Sequence, residues 1–346
     1  MNTVLVTGGA GFFGKILKAK LLAEGYACVS ADLVRDESEH PNLVNITGDL
    51  RDPDLVERIF ATYPIAAVQH CAAALAHGLK LDAKEVWECN VVSTRNVAEA
   101  CKRHGVRSLV FTSTNCLWAS NPGHPIAEDE TPAPIEPYGR AKLDAENVLH
   151  EYESHLDAVI IRCPTIIESG RLGLLAILFE FIDDNKTVWM VGAGNNRYQF
   201  IYADDLAQAC IKAMSLARSA TFHIGSDNVE TLREVFEAVI RAAKSKSKVR
   251  SIPRGPAIAA MKLAHKLRVS PLGPYHYKMI AEDFIFDTAK IKKELGWSPT
   301  LRNSEMLVRA YQYYSANRSE IEGRTGVSAH SRNAQMGIIR VLKWIS

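Results

Sequence analysis

A tyrosine and a lysine stand four residues apart in "PYGRAK", as Tyr138 and Lys142. They fall at the start of a stretch whose apolar spacing predicts a helix over 138–155. At that spacing both side chains lie on one helix face. A phenol titrates near about 10 and is a poor base at neutral pH. A nearby ammonium favours phenolate and lowers that value. The pair therefore reads as a proton carrier for a substrate hydroxyl or ketone while hydride passes to or from a second molecule. Tyr-x-x-x-Lys is common on solvated helix faces, so its weight depends on its company. Upstream, "TSTN" (112–115) closes a strand with hydroxyls. Thr114, or Ser113 next to it, is placed to hydrogen-bond the same substrate oxygen. Asn90, on the preceding helix, is a candidate for holding a water or a helix bend near the lysine.

The second molecule is read from "TGGAGFFG" (7–14). Gly8 permits a tight turn, Gly11 lets backbone approach a phosphate, and Gly14 lets the next helix pack closely. That helix opens on Phe12 and Phe13. Its N-terminus offers free N–H groups and a partial positive charge to a pyrophosphate. Asp32 ends the second predicted strand, where a carboxylate accepts hydrogen bonds from adenine-ribose hydroxyls and repels a 2′-phosphate. NAD is expected over NADP, with Arg35 the one nearby residue that argues the other way. Asp49 and Leu50 end the third strand within reach of adenine. In "HCAAA" (70–74) the small residues Cys71, Ala72 and Ala73 leave room for the cofactor, and Pro164 beyond the sixth strand joins the set.

These residues need a scaffold. Short apolar runs at 3–7, 27–32, 43–49, 66–71, 108–114 and 157–163 alternate with helical patterns at 12–24, 53–61, 83–103 and 138–155. Such alternation predicts an α/β fold: a Rossmann, doubly wound parallel sheet covered on both faces. After Pro164 the rhythm loosens. Helices are expected near 173–184, 204–217, 231–243, 256–267, 288–294 and 304–318, with short strands at 187–191, 198–202 and 221–225. This predicts a cofactor domain over 1–165 and a smaller mixed α/β substrate lobe over 166–318. Residues 197–225 are expected to return to the first domain, and 319–346 to form a flexible tail. The tail ends in "MGIIRVLKWIS", read as a loosely ordered terminus, with weak surface association as the alternative.

Bulk composition removes other classes. Over 346 residues, Lys and Arg total 41 against 39 Asp and Glu, so the net charge of +2 does not point to nucleic acid. No run of about 18 apolar residues suggests a membrane span. A strand-like run at the very start leaves no room for a signal peptide. The 7 cysteines form no Cys-x-x-Cys pair and sit mostly in apolar runs. They read as buried hydrophobes of a reducing, cytoplasmic protein, without a metal site.

With these motifs on the page, the chain resembles the extended short-chain dehydrogenase/reductase family, also called NAD-dependent epimerase/dehydratases. The resemblance runs from about residue 3 to residue 315. It rests on "TGGAGFFG", Asp32, "GDL" (48–50), "HCAAA", Asn90, "TST", "YGRAK", "YADDLAQA" (202–209) and "KELGWSP" (293–299). It implies that Tyr138 is the acid/base, that Lys142 binds the nicotinamide ribose and tunes Tyr138, and that Thr114 assists. It also implies a homodimer through the helices near 83–103 and 138–155.

Departures from the family pattern narrow the chemistry. Dehydratases carry Asp-Glu directly after the Thr; here Asn115 and Cys116 stand there. Epimerases usually carry an Arg and an acid before the "Y/F-I-x-V-x-D" strand, the Arg clamping the substrate diphosphate. Here "GNNRYQFIYADDLA" shifts Arg197 by one position and puts Tyr198 and Gln199 in those places. One residue along a strand turns a side chain to the other face. Arg171, in "GRLG", is a second candidate for a substrate phosphate. Three readings stand: an epimerase or 4-oxidoreductase on a nucleotide sugar, favoured by the family's usual substrates; a dehydrogenase or reductase of a lipophilic alcohol, such as a sterol or β-hydroxy acid; and a catalytically silent NAD-binding regulator. The shifted clamp, apolar 256–267 and "GPYHY" (273–277) favour the second reading, and the intact Tyr138, Lys142 and Thr114 count against the third.

Overall fold

The computed structural model describes residues 2–74, 82–118, 122–173, 175–267 and 279–323. The strands are β1 (Thr3–Thr7), β2 (Ala27–Asp32), β3 (Leu43–Thr47), β4 (Ile65–His70), β5 (Ser108–Thr114), β6 (Asp157–Cys163), β7 (Thr165–Ile167), β8 (Val188–Val191), β9 (Phe200–Tyr202), β10 (Ala220–His223) and β11 (Val249–Ile252). Seven of them build one sheet in the order β10-β6-β5-β4-β1-β2-β3. Every pairing in it is parallel. β1 and β4 are neighbours in this order, and the chain runs outward from β1 to β3 on one side and from β4 to β10 on the other. That reversal opens a crevice at the carboxyl ends of the strands.

Alternate residues of each strand serve opposite faces. Val4 and Val6 of β1 join a core with Leu17 and Leu21 of α1 (Phe12–Ala23) and Leu206 and Cys210 of α7 (Ala203–Ala213). Leu5 joins the other core, with Ile59 of α2 (Pro53–Thr62), Val97 of α4 (Ser93–His104) and Leu149 of α5 (Pro137–Glu151). Near-continuous apolar strands are the mark of a sheet buried on both sides.

A third core fills the later part of the chain. It joins Phe179 of α6 (Leu175–Asp183), Val235 of α8 (Leu232–Ala242), and Leu307 and Tyr314 of the helix Asn303–Ala316. Two short parallel pairs, β8 with β11 and β7 with β9, stand outside the main sheet. Neither β7 nor β11 was expected: only Pro164 separates β7 from β6, and β11 carries the exposed polar residues Arg250 and Ser251 at its centre.

Two further expectations are corrected. The long helix over 83–103 is interrupted: α3 (Ala83–Trp87) passes through a π-helical turn, Glu88–Val92, before α4. The chain expected to loosen after Asn317 forms a helix, Arg318–Gly323. Arg318 pins it to Asp183 and Asp184, and Ile321 is buried. "GPYHY", "MGIIRVLKWIS" and residues 324–346 lie outside the described residues. No helix of the described residues is long and apolar enough to cross a membrane.

Candidate active site

The glycine loop forms the floor of the crevice. Gly8 has φ +70°, a left-handed conformation that favours glycine, and a Cβ there would lie 2.7 Å from the Ala72 backbone nitrogen. A Cβ on Gly14 would lie 2.1 Å from the Gly8 carbonyl oxygen. So Gly14 lets the helix close onto the loop itself. Gly11 is the N-cap of α1, with no side-chain cap and no acid in the first turn. The N–H groups of Phe12, Phe13 and Gly14 have no intrahelical acceptor, as in any first turn. This cradle fits the pyrophosphate of NAD. Phe13 contributes backbone alone, because its ring is buried in the core.

Asp32 ends β2 beside the loop. One carboxylate oxygen accepts from Ala10 N at 3.0 Å, the other from Val34 N at 3.0 Å. Both oxygens retain lone pairs for ribose hydroxyls. Asp49 is gripped by the Arg51 guanidinium, which holds its carboxyl below the usual range. Leu50 and Pro164 are buried, whereas Cys71 and Ala72 are half-buried and Ala73 is exposed at the mouth.

Tyr138 and Lys142 rise from the first turns of α5, where Pro137 suits the first helical position. Gly139 allows that turn to press on the strand end, since a Cβ would meet the Cys116 carbonyl oxygen at 2.3 Å. Tyr138 is half-buried, and its hydroxyl is hydrogen-bonded to Thr114. Thr114 Oγ1 also accepts from Cys116 N at 3.1 Å. Lys142 is buried, donates to the Thr112 carbonyl at 2.7 Å, and sits 3.7 Å above the Phe111 ring. Burial lowers it to about 8, against the pull of Glu146.

The phenol behaves otherwise than its spacing suggested. Burial and the Cys116 and Cys163 thiols push Tyr138 above its ordinary value; Thr114 and the Arg171 guanidinium act in the opposite direction. Lys142 spends its ammonium on Thr112 and Phe111, and burial favours the neutral form of Tyr138.

Ser113 is corrected from substrate contact to framework. It follows Thr112 on β5 with the opposite orientation and donates to Glu146 at 2.5 Å. Asn90 sits inside the π-helical turn, donating to Val86 O at 2.7 Å and Ala74 O at 3.0 Å. Its Oδ1 is buried with no hydrogen-bond partner among the described residues. His70, unremarked in the sequence, links Thr7 (2.6 Å) to Thr94 (2.9 Å) beneath the crevice and is kept neutral by burial.

The two arginines part company. Arg171 lies 5.8 Å from the Phe12 ring and close enough to Tyr138 to act on its proton. Arg197 turns away: its guanidinium donates to the Val229 carbonyl and its N–H to Asp283 at 2.6 Å. Tyr198 and Gln199 turn inward. Tyr198 OH accepts from Asn115 at 2.7 Å, and Gln199 bridges Ser226 O and Phe286 N at 2.8 and 2.9 Å. Two clefts open further out. One of about 470 Å³ is lined by Asn195, Asn196, Arg254 and Asp283; one of about 360 Å³ lies beside Gln199 and Asp227.

A family model for the NAD dependent epimerase/dehydratase family matches residues 4–225. The chain is 36% identical to an uncharacterised protein of Sinorhizobium fredii, over 99% of this chain and 86% of the other. It is 26% identical to a UDP-glucose 4-epimerase of Mycolicibacterium smegmatis, over 90% of this chain and 97% of that one. Among solved structures it is similar in fold to UDP-glucose 4-epimerase from Thermotoga maritima with UDP-glucose. That match has a TM-score of 0.76 and 24% identity, and covers 91% and 99% of the two chains.

Proposed function

We propose a substrate class for a chain that belongs to the NAD dependent epimerase/dehydratase family and is an NAD-dependent enzyme of the extended short-chain type: a sugar carried on a nucleotide, oxidised or inverted at a ring hydroxyl. The observation that carries this reading is the convergence of Thr114, Tyr138 and Arg171 at the mouth of the glycine-loop crevice. The UDP-sugar 4-epimerases among its relatives support it.

Bound NAD supplies the hydride acceptor and, as a cation, the positive charge that favours the phenolate. Thr114 orients the substrate oxygen and Tyr138 takes its proton, returning it when the ketone is reduced from the other face. Lys142 holds the nicotinamide ribose and stabilises negative charge on the phenolate. Arg171 meets substrate phosphate. Asp32 selects NAD by its ribose contacts, with Asp49 toward the adenine. We also divide the chain into a cofactor part over 1–165, to which 197–225 returns, and a substrate part over the rest of 166–318. Two copies pair through the helices over 83–103 and 138–155, where Trp87 of α3, 43% exposed, extends the surface.

A second reading keeps one specific observation on its side. Arg197, Tyr198 and Gln199 are committed to internal partners, and α9 (Arg254–Lys266) exposes Leu263 at 58%. Both suit a lipophilic alcohol. Thermal shift with NAD present separates the two. Stabilisation by UDP or UDP-glucose supports the sugar; stabilisation only by a sterol or a long-chain β-hydroxy acid overturns it.

A further inference from the structure

One buried ion pair has no part in the chemistry above. Glu146 follows Lys142 by one turn of α5, and Arg162 extends from β6 to meet it at 2.7 Å, their side chains 1% and 7% exposed. Arg162 also gives its Nε to the carboxylate at 3.1 Å, and lies 5.2 Å from the Trp118 ring. Its remaining nitrogen reaches Glu128 O at 3.4 Å and His223 at 3.5 Å. Replacing such a pair by apolar side chains is often neutral or stabilising, so fold stability by itself explains it poorly.

The network leads to the reacting groups. Glu146 accepts from Ser113, which lies between Thr112, whose carbonyl holds Lys142, and Thr114, which holds Tyr138. One carboxylate thus ties the helix bearing both reactive side chains to the strand end that orients them. The titratable groups facing Lys142 are Glu146 on its own helix, His70 and Cys71 at the end of β4, and Cys163 at the end of β6. Burial holds His70 near about 3 and pushes Cys71 and Cys163 up to about 11 and about 12, so these are uncharged at neutral pH. Among the described groups acting on Lys142, Glu146 supplies the negative charge.

We propose that Glu146, locked in place by Arg162 and Ser113, is a positioning residue that seats Lys142 under the strand end. This rests on the reading of Tyr138 and Lys142 given above. The test is a pH titration of the Lys142 Cε resonance in cofactor-free, ¹³C-lysine-labelled protein, assigned with Lys142→Arg. The parent midpoint is expected near about 8. Removing an adjacent opposite charge lowers it by about one unit in Glu146→Gln. Glu146→Asp, which keeps the charge, returns it most of the way. Should Glu146→Gln fail to fold with Arg162 left unpaired, Ser113→Ala, which releases the carboxylate from the strand end while both charges remain, carries the measurement. Unchanged midpoints in the folded variant, with only its melting temperature moved, overturn the proposal and leave a structural role. The titration needs no turnover. Its failure is therefore distinct from a failure of the Tyr138 and Lys142 assignment, which the turnover of Tyr138→Phe decides.

Discussion

The carboxyl end of the sheet and the segment 197–199 spend their polar groups in opposite ways. Around β1, β5 and the first turn of α5, polar groups keep capacity for a ligand: the N-terminus of α1 without a side-chain cap, the Thr114-bonded hydroxyl of Tyr138 and the acceptor lone pairs of Asp32. Around 197–199, a guanidinium, a phenol and an amide are consumed by Val229, Asn115, Ser226 and Phe286. The first region is built to receive a ligand. The second ties distant segments of the chain to one another. A polar residue at a family position therefore does not reveal its task until its partners are known.

The largest expected effect tests the open side of this comparison. Tyr138→Phe should lower turnover about 10³-fold, the usual yield of a general acid/base, while NAD binding measured by calorimetry persists. Normal turnover would remove Tyr138 from the site.

Next comes the loop. Gly14→Val puts a branched side chain where even a Cβ lies 2.1 Å from a carbonyl oxygen. Overpacking should destabilise the fold by about 3 kcal/mol in denaturant unfolding and abolish NAD binding. Retained NAD affinity would mean that the loop adapts.

Acid should act on both regions together. His70 under the crevice and His223 beside Arg162 are lowered to about 3 by burial. Unfolded, each binds a proton near about 6.5, so the unfolded state takes up protons first as pH falls. The stability they confer is whole above about 6.5 and drains away down to about 3. Melting scans between pH 7 and pH 4 should show this, and His223→Asn should flatten the slope.

Tyr198→Phe removes the acceptor of Asn115 and should cost about 1–3 kcal/mol of stability, with KM unchanged within about twofold. A KM rise instead would return Tyr198 to the substrate. The finest distinction is between the arginines. Arg171→Ala should raise KM about tenfold, the worth of one charge-assisted hydrogen bond, and Arg197→Ala less than threefold. The reverse order would restore Arg197 as the phosphate ligand.

Local rules carry far in the first half of the chain. The strands of the main sheet, the turn at Gly8, the helix after it and the Tyr138/Lys142 pair follow from periodicity and spacing, because each depends on neighbours within a few residues. The π-helical turn around Asn90 and the helix Arg318–Gly323 did not follow. The first is held by a carbonyl at Ala74, the second by aspartates at 183 and 184, all distant in sequence. Ser113 and Thr114 were indistinguishable as hydroxyls until the strand assigned one to Glu146 and the other to Tyr138.

By itself the sequence determined the parallel α/β sheet, the glycine cradle and the residue types able to move a proton. Backbone geometry and apolar alternation are local properties of the chain. Only the tertiary structure decided which polar groups remain available. Folding favoured the neutral form of Tyr138 by burial, placed Glu146 and Arg162 behind Lys142, and bound Arg197 to a carbonyl 32 residues away in sequence. Availability depends on partners brought together through space, and residue spacing along a chain carries no record of them.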